Sequence, residues 1–285
     1  MWDYRGLRPL AERPEGFFVD GHFWIREFLL GGTFAVQMEA SGLLTAWGPD
    51  GEFESGAEPW PYRRAVETVR ADLDREQLRA AVPDPADYTF YLLAPLSMGL
   101  DYDWSRLPPV LGLDIWDGTA GEYATLDVAE RVFEAVGLQP VPTVAREVPA
   151  RDLGPSRIEV PDSRWADGPA AGVVMRKKHG AAVVRRREPF ESVTREAPES
   201  AGVSQLDTWL GETLDATTVS AWLAGNDSLE AWDIETLTDR LAVELARRAF
   251  ETVGGAATAD PAGYRAAIHR WVIENREQGP DELEP

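Results

Sequence analysis

Apolar and polar positions alternate across residues 16–48. Phe17, Phe18, Val19, Phe23, Trp24 and Ile25 are followed by Phe34, Val36, Met38, Leu43, Leu44 and Trp47. Gly31-Gly32 and Ser41-Gly42 interrupt the run, and Gly48-Pro49-Asp50-Gly51 reads as a turn. A period of two predicts antiparallel strands and hairpins, because successive side chains of an extended chain point to opposite faces.

From Tyr62 to Val82 the period lengthens. Ala65, Val66, Val69, Leu73, Leu78 and Ala81 share one helical face, and Pro83 and Pro85 end it. Tyr88–Leu93 and Val110–Trp116 are continuous apolar runs and predict buried strands. Leu126–Val136 predicts an amphipathic helix, with Asp127 and Glu130 as an N-cap pair and Gly137 in the left-handed C-terminal position. Residues 145–170 are rich in Pro, Asp and Arg and read as loop. Gly172–Phe190 then predicts a strand, a tight turn and a second strand. Glu191–Gly202 reads as a linker.

After Val203 the pattern is helical. Val219, Trp222 and Leu223 form a short face. Leu229, Trp232 and Ile234 lead into Leu237, Leu241, Leu245, Ala249 and Val253, a series spaced for about five turns. Asp260-Pro261 opens a last helix through Ala267, Ile268 and Trp271. Strands gathered in one part and helices in another predict an α+β chain rather than a doubly wound parallel sheet. The expected domains are residues 1–195 and an all-helical 203–285.

Composition changes the picture in three ways. A chain of 285 residues, 44% hydrophobic with 11 Trp, can bury a core. There is no cysteine, so disulfides, thiolate nucleophiles and Cys-ligated metals are excluded. His22, His179 and His269 are far apart, so no His-rich metal site is expected. No apolar run reaches the ~20 residues that span a bilayer, and the N-terminus lacks the apolar core of a signal peptide. A cytoplasmic protein with no membrane partner is expected.

Net charge is −21, and two of the 28 basic residues are lysine, which leaves 26 arginines. Excess acid with scarce lysine is the balance expected of a protein adapted to high salt, where screening weakens repulsion between carboxylates. The same charge weighs against nucleic-acid binding, which rests on cations neutralising phosphates.

The Gly172–Phe190 hairpin concentrates chemistry. Arg176, Lys177, Lys178, Arg185 and Arg186 are candidates for binding nucleotide or RNA phosphates, and Lys177 and Lys178 are the only lysines in the chain. Alternation puts Arg185 and Arg187 on one face and Arg186 on the other. Asp101, Asp103 and Asp114 read as turn and cap residues or arginine partners rather than the metal cluster they also suggest, and Trp24, Trp47, Trp104 and Trp116 as core or base-stacking side chains.

Several segments in order carry a resemblance: Gly21-His22-Phe23-Trp24-Ile25-Arg26-Glu27, Asp101-Tyr102-Asp103-Trp104, Leu111-Gly112-Leu113-Asp114-Ile115-Trp116, Val136-Gly137-Leu138, and Asp167-Gly168-Pro169-Ala170-Ala171-Gly172-Val173-Val174-Met175-Arg176. Their order and spacing across roughly residues 16–193 resemble the ATP-dependent RNA ligase family. The resemblance implies an antiparallel-sheet nucleotidyltransferase domain, akin to the ATP-grasp and ligase adenylation folds, with a small C-terminal helical domain behind it. It implies a nucleophilic lysine in a Lys-x-Asp-Gly turn, two carboxylate strands for ribose and metal, and a last strand carrying lysine.

At those positions this chain reads Phe28, Leu30, Leu93, Ala171 and Val184. An aromatic ring has no lone pair for phosphorus, and aliphatic groups cannot ligate magnesium, which takes oxygen. The resemblance therefore implies a pseudo-ligase with no catalytic residue, no metal site and no cofactor. Its role would be binding, regulatory or structural, tied to RNA end processing, with RNA or an active ligase as partner. One alternative is an active ATP- and magnesium-dependent ligase using Lys177 or Lys178. Another is an unrelated α+β binding protein.

The charge balance makes one prediction. Raising KCl from about 0.1 M to about 1 M shortens the screening length from ~10 Å to ~3 Å, so the thermal midpoint is expected to rise by several degrees. A midpoint that falls with salt contradicts it.

Overall fold

The computed structural model describes residues 7–154, 157–178, 181–191, 203–223 and 232–275. Two compact units emerge. The first comprises Met1–Glu58, Ala65–Pro95 and Gly99–Val193; the second comprises Pro59–Arg64, Leu96–Met98 and Thr194–Pro285.

The first unit holds two sheets. Sheet A is built from β1 (Arg8–Pro9), β2 (His22–Phe28), β9 (Thr143–Pro149), β10 (Gly172–Lys177) and β11 (Ala182–Arg186), in the order β1-β11-β10-β2-β9. Sheet B is built from β3 (Gly31–Met38), β4 (Leu44–Gly48), β5 (Gly51–Glu52), β6 (Tyr88–Pro95), β7 (Leu111–Asp117) and β8 (Glu122–Tyr123), in the order β5-β4-β3-β6-β7-β8. Every named strand pair is antiparallel except β1 with β11. The α+β class with antiparallel sheets is thus present.

Alternation sorts the faces of sheet A. Phe23, Ile25, Val173, Met175 and Val183 join Phe17, Ala150 and Ile158 in one apolar cluster. Trp24, Arg26, Phe28, Val174, Arg176, Val184 and Arg186 therefore lie on the opposite face. In sheet B, Phe90 meets Phe133 of helix α3 (Leu126–Ala135), with ring centroids 5.9 Å apart. A Cβ on Gly112 would lie 2.5 Å from that phenyl ring, so only glycine lets α3 sit this close to β7.

Four sequence expectations need correction. The single helix over 62–82 is two, α1 (Trp60–Asp72) and α2 (Arg75–Ala81). Asp74 breaks it, because its carboxylate caps α2 by accepting from the Glu76 and Gln77 N–H groups. Asp127 and Glu130 are not the cap of α3; Thr125 occupies that position. Glu130 is buried and accepts from the Thr143 hydroxyl, while Arg146 pairs with it at 2.7 Å. Gly137 does adopt φ +81° at the helix end.

Residues 145–170 are not all loop, because β9 occupies the first part of them. A bulged register against β2 and Glu147 at φ +51° break the alternation that would have revealed the strand. The long series through Val253 is two helices, α6 (Ile234–Arg248) and α7 (Phe250–Ala259), parted at Ala249 with φ −127° and ψ 27°. Leu229 and linker residues 192–202 lie outside the described residues.

The second unit also contains α4 (Val203–Thr213), α5 (Ala216–Leu223) and α8 (Pro261–Asn275). Its core joins Leu206, Leu210, Val219, Leu237, Leu241, Leu245, Val253, Tyr264, Ile268 and Val272 to Trp60. The Trp60 indole N–H donates to the Pro261 carbonyl at 3.3 Å, and its ring lies 5.9 Å from that of Tyr264. Ser97 N–H donates to the Arg247 carbonyl at 2.7 Å, and Glu251 N–H donates back to the Ser97 carbonyl at 3.2 Å. The helical unit therefore takes part of its core from far upstream. Among the described residues no helix is long and apolar enough to cross a membrane.

Trp60→Ala is expected to cost ~3–5 kcal/mol, as for a large aromatic removed from a core. A fragment starting at residue 203 is expected to melt without cooperativity, checked by calorimetry. A sharp two-state melt of that fragment contradicts the assignment.

Candidate functional site

The two sheets of the first unit are tied together by two arginines on the inner face of sheet A. Arg26 stands in mid-strand on β2 and is buried. Its Nη1 donates to the Leu113 carbonyl at 2.8 Å, and its Nη2 to the Gly112 carbonyl at 3.1 Å and the Val141 carbonyl at 3.3 Å. The register explains why these carbonyls are offered. Tyr91 faces Asp114 and Leu92 faces Gly112, so Leu113 is the extra residue of a bulge in β7.

Arg176, on β10, is 3% exposed and pairs with the 2%-exposed carboxylate of Asp114. It also donates to the Ala124 carbonyl at 3.2 Å, while its Nε has no hydrogen-bond partner. Burying both charges costs several kcal/mol in desolvation, offset only if the contacts are good. The pair is therefore worth most as a fixed tie between sheets.

Asp114 ends a row across sheet B. Trp47 faces Ala35, Ala35 faces Tyr91, and Tyr91 faces Asp114, so all four share the face turned toward Arg176. Trp116 and Tyr123 join this cluster, with ring centroids 5.0 Å apart, and Tyr123 lies 5.7 Å from Tyr91. Ala35 and Tyr91 are buried, whereas Trp47, Trp116 and Tyr123 are half-buried.

The five apolar positions are placed as follows. Phe28 and Val184 lie on the face of sheet A that carries Arg26 and Arg176. Ala171 precedes β10 and accepts from the Arg187 N–H at 2.8 Å. Leu93 lies two residues from Tyr91, on the Asp114 side of sheet B. Leu30 links the sheets between β2 and β3, and its N–H donates to the Tyr102 hydroxyl at 2.9 Å. Leu30, Leu93, Ala171 and Val184 are buried, and Phe28 is half-buried with the Arg186 guanidinium 5.1 Å from its ring centroid. Burial and the Glu27 charge push the Tyr102 hydroxyl well up, only partly offset by the Leu30 N–H.

The hairpin cations do not form one ridge. Arg176 is committed to Asp114. Lys177 points to the other face of sheet A, where it meets Asp20 at 2.8 Å and lies 5.8 Å from the Phe17 ring centroid. The Lys177 hydrogen bond and charge hold the Asp20 carboxyl below its usual value. Lys178 is exposed; after the Thr125 hydroxyl, its charge helps to lower the Asp127 carboxyl. Arg185 donates to the Ile158 carbonyl. Arg187 donates to the Ala170 and Pro169 carbonyls, both at 3.2 Å. Of the five candidates, Arg176 and Arg186 lie on the inter-sheet face within the strands, and Lys177 and Arg185 lie on the other.

Asp103 accepts from Ser105 within its own turn. Among the described residues no group of three His, Asp or Glu could hold a metal. Sequence reasoning passed over Arg26, although a charged residue between Ile25 and Glu27 in an apolar strand was a signal of a buried tie. Glu27 entered the resemblance as a motif residue but was given no role. This 3%-exposed carboxylate accepts from the Ser163 hydroxyl at 2.7 Å and the Arg164 N–H at 3.2 Å. Burial pushes the Glu27 carboxyl up, and Ser163 and Arg164 pull it back in part.

No protein-family model matches the chain, and no curated protein does. Solved structures of Naegleria gruberi RNA ligase are similar in fold. A glutamate-to-alanine mutant with ATP and Mn aligns at TM-score 0.50 and 12% identity, over 67% of this chain and 57% of that one. The ligase with PPi aligns at TM-score 0.48 and 11% identity, over 67% and 57%. A lysine-to-alanine mutant with ATP and Mn gives 0.48 and 12%, over 66% and 57%. The fold is RNA ligase-like, and the match spans 57% of the ligase chain.

Removing one partner of the buried pair strands the other. Asp114→Ala is expected to cost ~3–5 kcal/mol, and Asp114→Leu with Arg176→Met to recover most of it. Denaturant melts check this; equal losses in the single and double variants contradict it.

Proposed function

We propose that this ligase-fold chain does not transfer adenylate and acts instead by binding, with single-stranded RNA as its partner in RNA end processing. The observation that carries the first half is the inter-sheet space. Apolar Phe28, Leu30, Leu93, Ala171 and Val184 stand where the ligase resemblance puts amine, carboxylates and lysine, and Arg26 and Arg176 tie the sheets beside them. An adenylate acceptor needs a near-neutral amine aimed at the α-phosphorus. Lys177 lies on the far face in an ion pair, which speaks against it as a substitute nucleophile.

The second half rests on the aromatic wall. Trp116 and Tyr123 are half-buried on the Asp114 face of sheet B, with half-buried Trp47 three strands along the same face, and partly open rings are the surface on which bases stack. The acidic charge of the chain leaves little electrostatic pull, so affinity would come from stacking and stay modest. Arg186 lies on the same face of sheet A as Phe28, with its guanidinium 5.1 Å from that ring.

The test has two arms. Incubation with labelled ATP and magnesium, followed by denaturing electrophoresis, is expected to leave the protein unlabelled. A labelled band that disappears in Lys177→Ala or Lys178→Ala overturns the non-catalytic reading. Titration of tryptophan fluorescence with single-stranded RNA is expected to saturate, with Trp116→Ala weakening binding roughly tenfold, the loss of one stacked base. Absence of saturation removes RNA as the partner.

A further inference from the structure

The face of sheet B that carries Asp114 has a second row of side chains, nearer one end of the strands. Thr45 of β4 faces Gln37 of β3, and Gln37 faces Thr89 of β6. Thr89 faces Trp116 of β7, and Trp116 faces Tyr123 of β8. Directly opposed residues share a face, and Thr45, Gln37, Thr89 and Trp116 each stand two positions from Trp47, Ala35, Tyr91 and Asp114 respectively. The row therefore crosses the sheet from β4 to β8. At the usual spacing of neighbouring strands that is about 19 Å.

All members of this row are half-buried, whereas Ala46, Val36, Phe90 and Ile115, the paired row on the opposite face, are buried. None of them is charged: the row offers two hydroxyls, an amide, an indole and a phenol. The Gln37 amide nitrogen donates to the Ala86 carbonyl, which fixes the plane of the amide. The Trp116 and Tyr123 rings meet edge to face, 77° apart with centroids at 5.0 Å. Carboxylates border the row. Glu39 lies two residues beyond Gln37 and accepts from the Thr45 hydroxyl at 3.1 Å. Asp87 lies two residues before Thr89, Asp117 follows Trp116, and Glu122 precedes Tyr123.

We infer, resting on the RNA reading above, that this row is a base-binding ledge: unpaired bases of a single strand stack on Trp116 and Tyr123 and hydrogen-bond to Gln37, Thr45 and Thr89, with the phosphates held away in solvent. Rings together with hydroxyl and amide groups match what an unpaired base presents, a π-face and an edge of donors and acceptors. An amide oxygen accepts from a base amine, and a hydroxyl can donate or accept. The bordering Glu39, Asp87, Asp117 and Glu122 repel phosphate, so the ledge favours the base over the backbone.

Salt separates this mode from ordinary single-strand binding. A protein that neutralises phosphates with Lys or Arg releases counterions, and the logarithm of its affinity falls with the logarithm of salt by about 0.7 per phosphate. The ledge neutralises none. Salt instead screens the repulsion between its bordering carboxylates and the strand, because the screening length shortens from ~10 Å at 0.1 M to ~3 Å at 1 M. Affinity therefore holds or rises where that of a phosphate-gripping protein collapses.

Fluorescence anisotropy of a labelled oligoadenylate of about ten nucleotides, titrated with the intact protein between about 0.1 M and about 1 M KCl, tests it. Affinity is expected to stay constant or rise across that range. An abasic strand of the same length is expected not to compete. Thr89→Val, which keeps the shape and removes the hydroxyl, is expected to weaken binding about fivefold, the worth of one hydrogen bond, with the thermal midpoint unchanged. Binding that falls with salt more steeply than a slope of about −0.7, an abasic strand that competes equally, or a Thr89→Val protein that binds as the native one does overturns the ledge and leaves the RNA reading standing. No binding at any salt removes the RNA reading and the ledge with it.

Discussion

Two guanidinium groups hold one sheet of the first unit to the other. Arg26 and Arg176 both sit on the inner face of sheet A, and both reach β7 or the chain beside it. An apolar interface could have done the same at lower desolvation cost. What the arginines add is geometry. A planar fork with five donors can satisfy a bulged strand's carbonyls and a carboxylate from fixed directions. The bulge at Leu113 and the fork of Arg26 make sense only together: one frees carbonyls, the other takes them up.

The same logic accounts for the basic composition. Arginines here serve backbone oxygen repeatedly, as Arg75 does for Gly42 and Arg70, Arg185 for Ile158, and Arg187 for Ala170. Lysine, with a compact point charge, fits that task poorly. The net charge of −21 is set by 49 acidic against 28 basic residues, and each arginine turned to an internal carbonyl is one cation fewer to pair with a surface carboxylate. The hairpin of residues 172–190 shows the consequence locally. It carries the densest basic run in the chain, yet most of its cations are turned to internal partners.

The hairpin was legible because two short valine-bearing runs, Val173-Val174 and Val183-Val184, flank a turn, and β10 and β11 pair in a regular register. The strand β9 was not legible, since its bulge and its exposed positions erase the pattern. Asp74 with Gln77 three residues later was a readable capping signal, hidden inside a helical period that runs straight through it. Glu130 looked like a cap residue because spacing alone cannot tell a solvated first turn from a side chain reaching Thr143 on another strand. Within the site, sequence could identify the apolar positions Phe28, Leu93 and Val184. It could not show that Arg176 faces inward to Asp114, a contact 62 residues apart along the chain. Arg26 was hidden for the same reason, its partners lying more than 80 residues away.

The central claim is that this inter-sheet space is a tied, apolar seam rather than a nucleotide pocket. Isothermal titration of the intact protein with ATP and magnesium tests it most directly. The account predicts no saturable heat up to about 1 mM nucleotide, a range that reports affinities tighter than about −4 kcal/mol. Saturable binding in the micromolar range, shifted by Asp114→Leu or Val184→Lys, would contradict it.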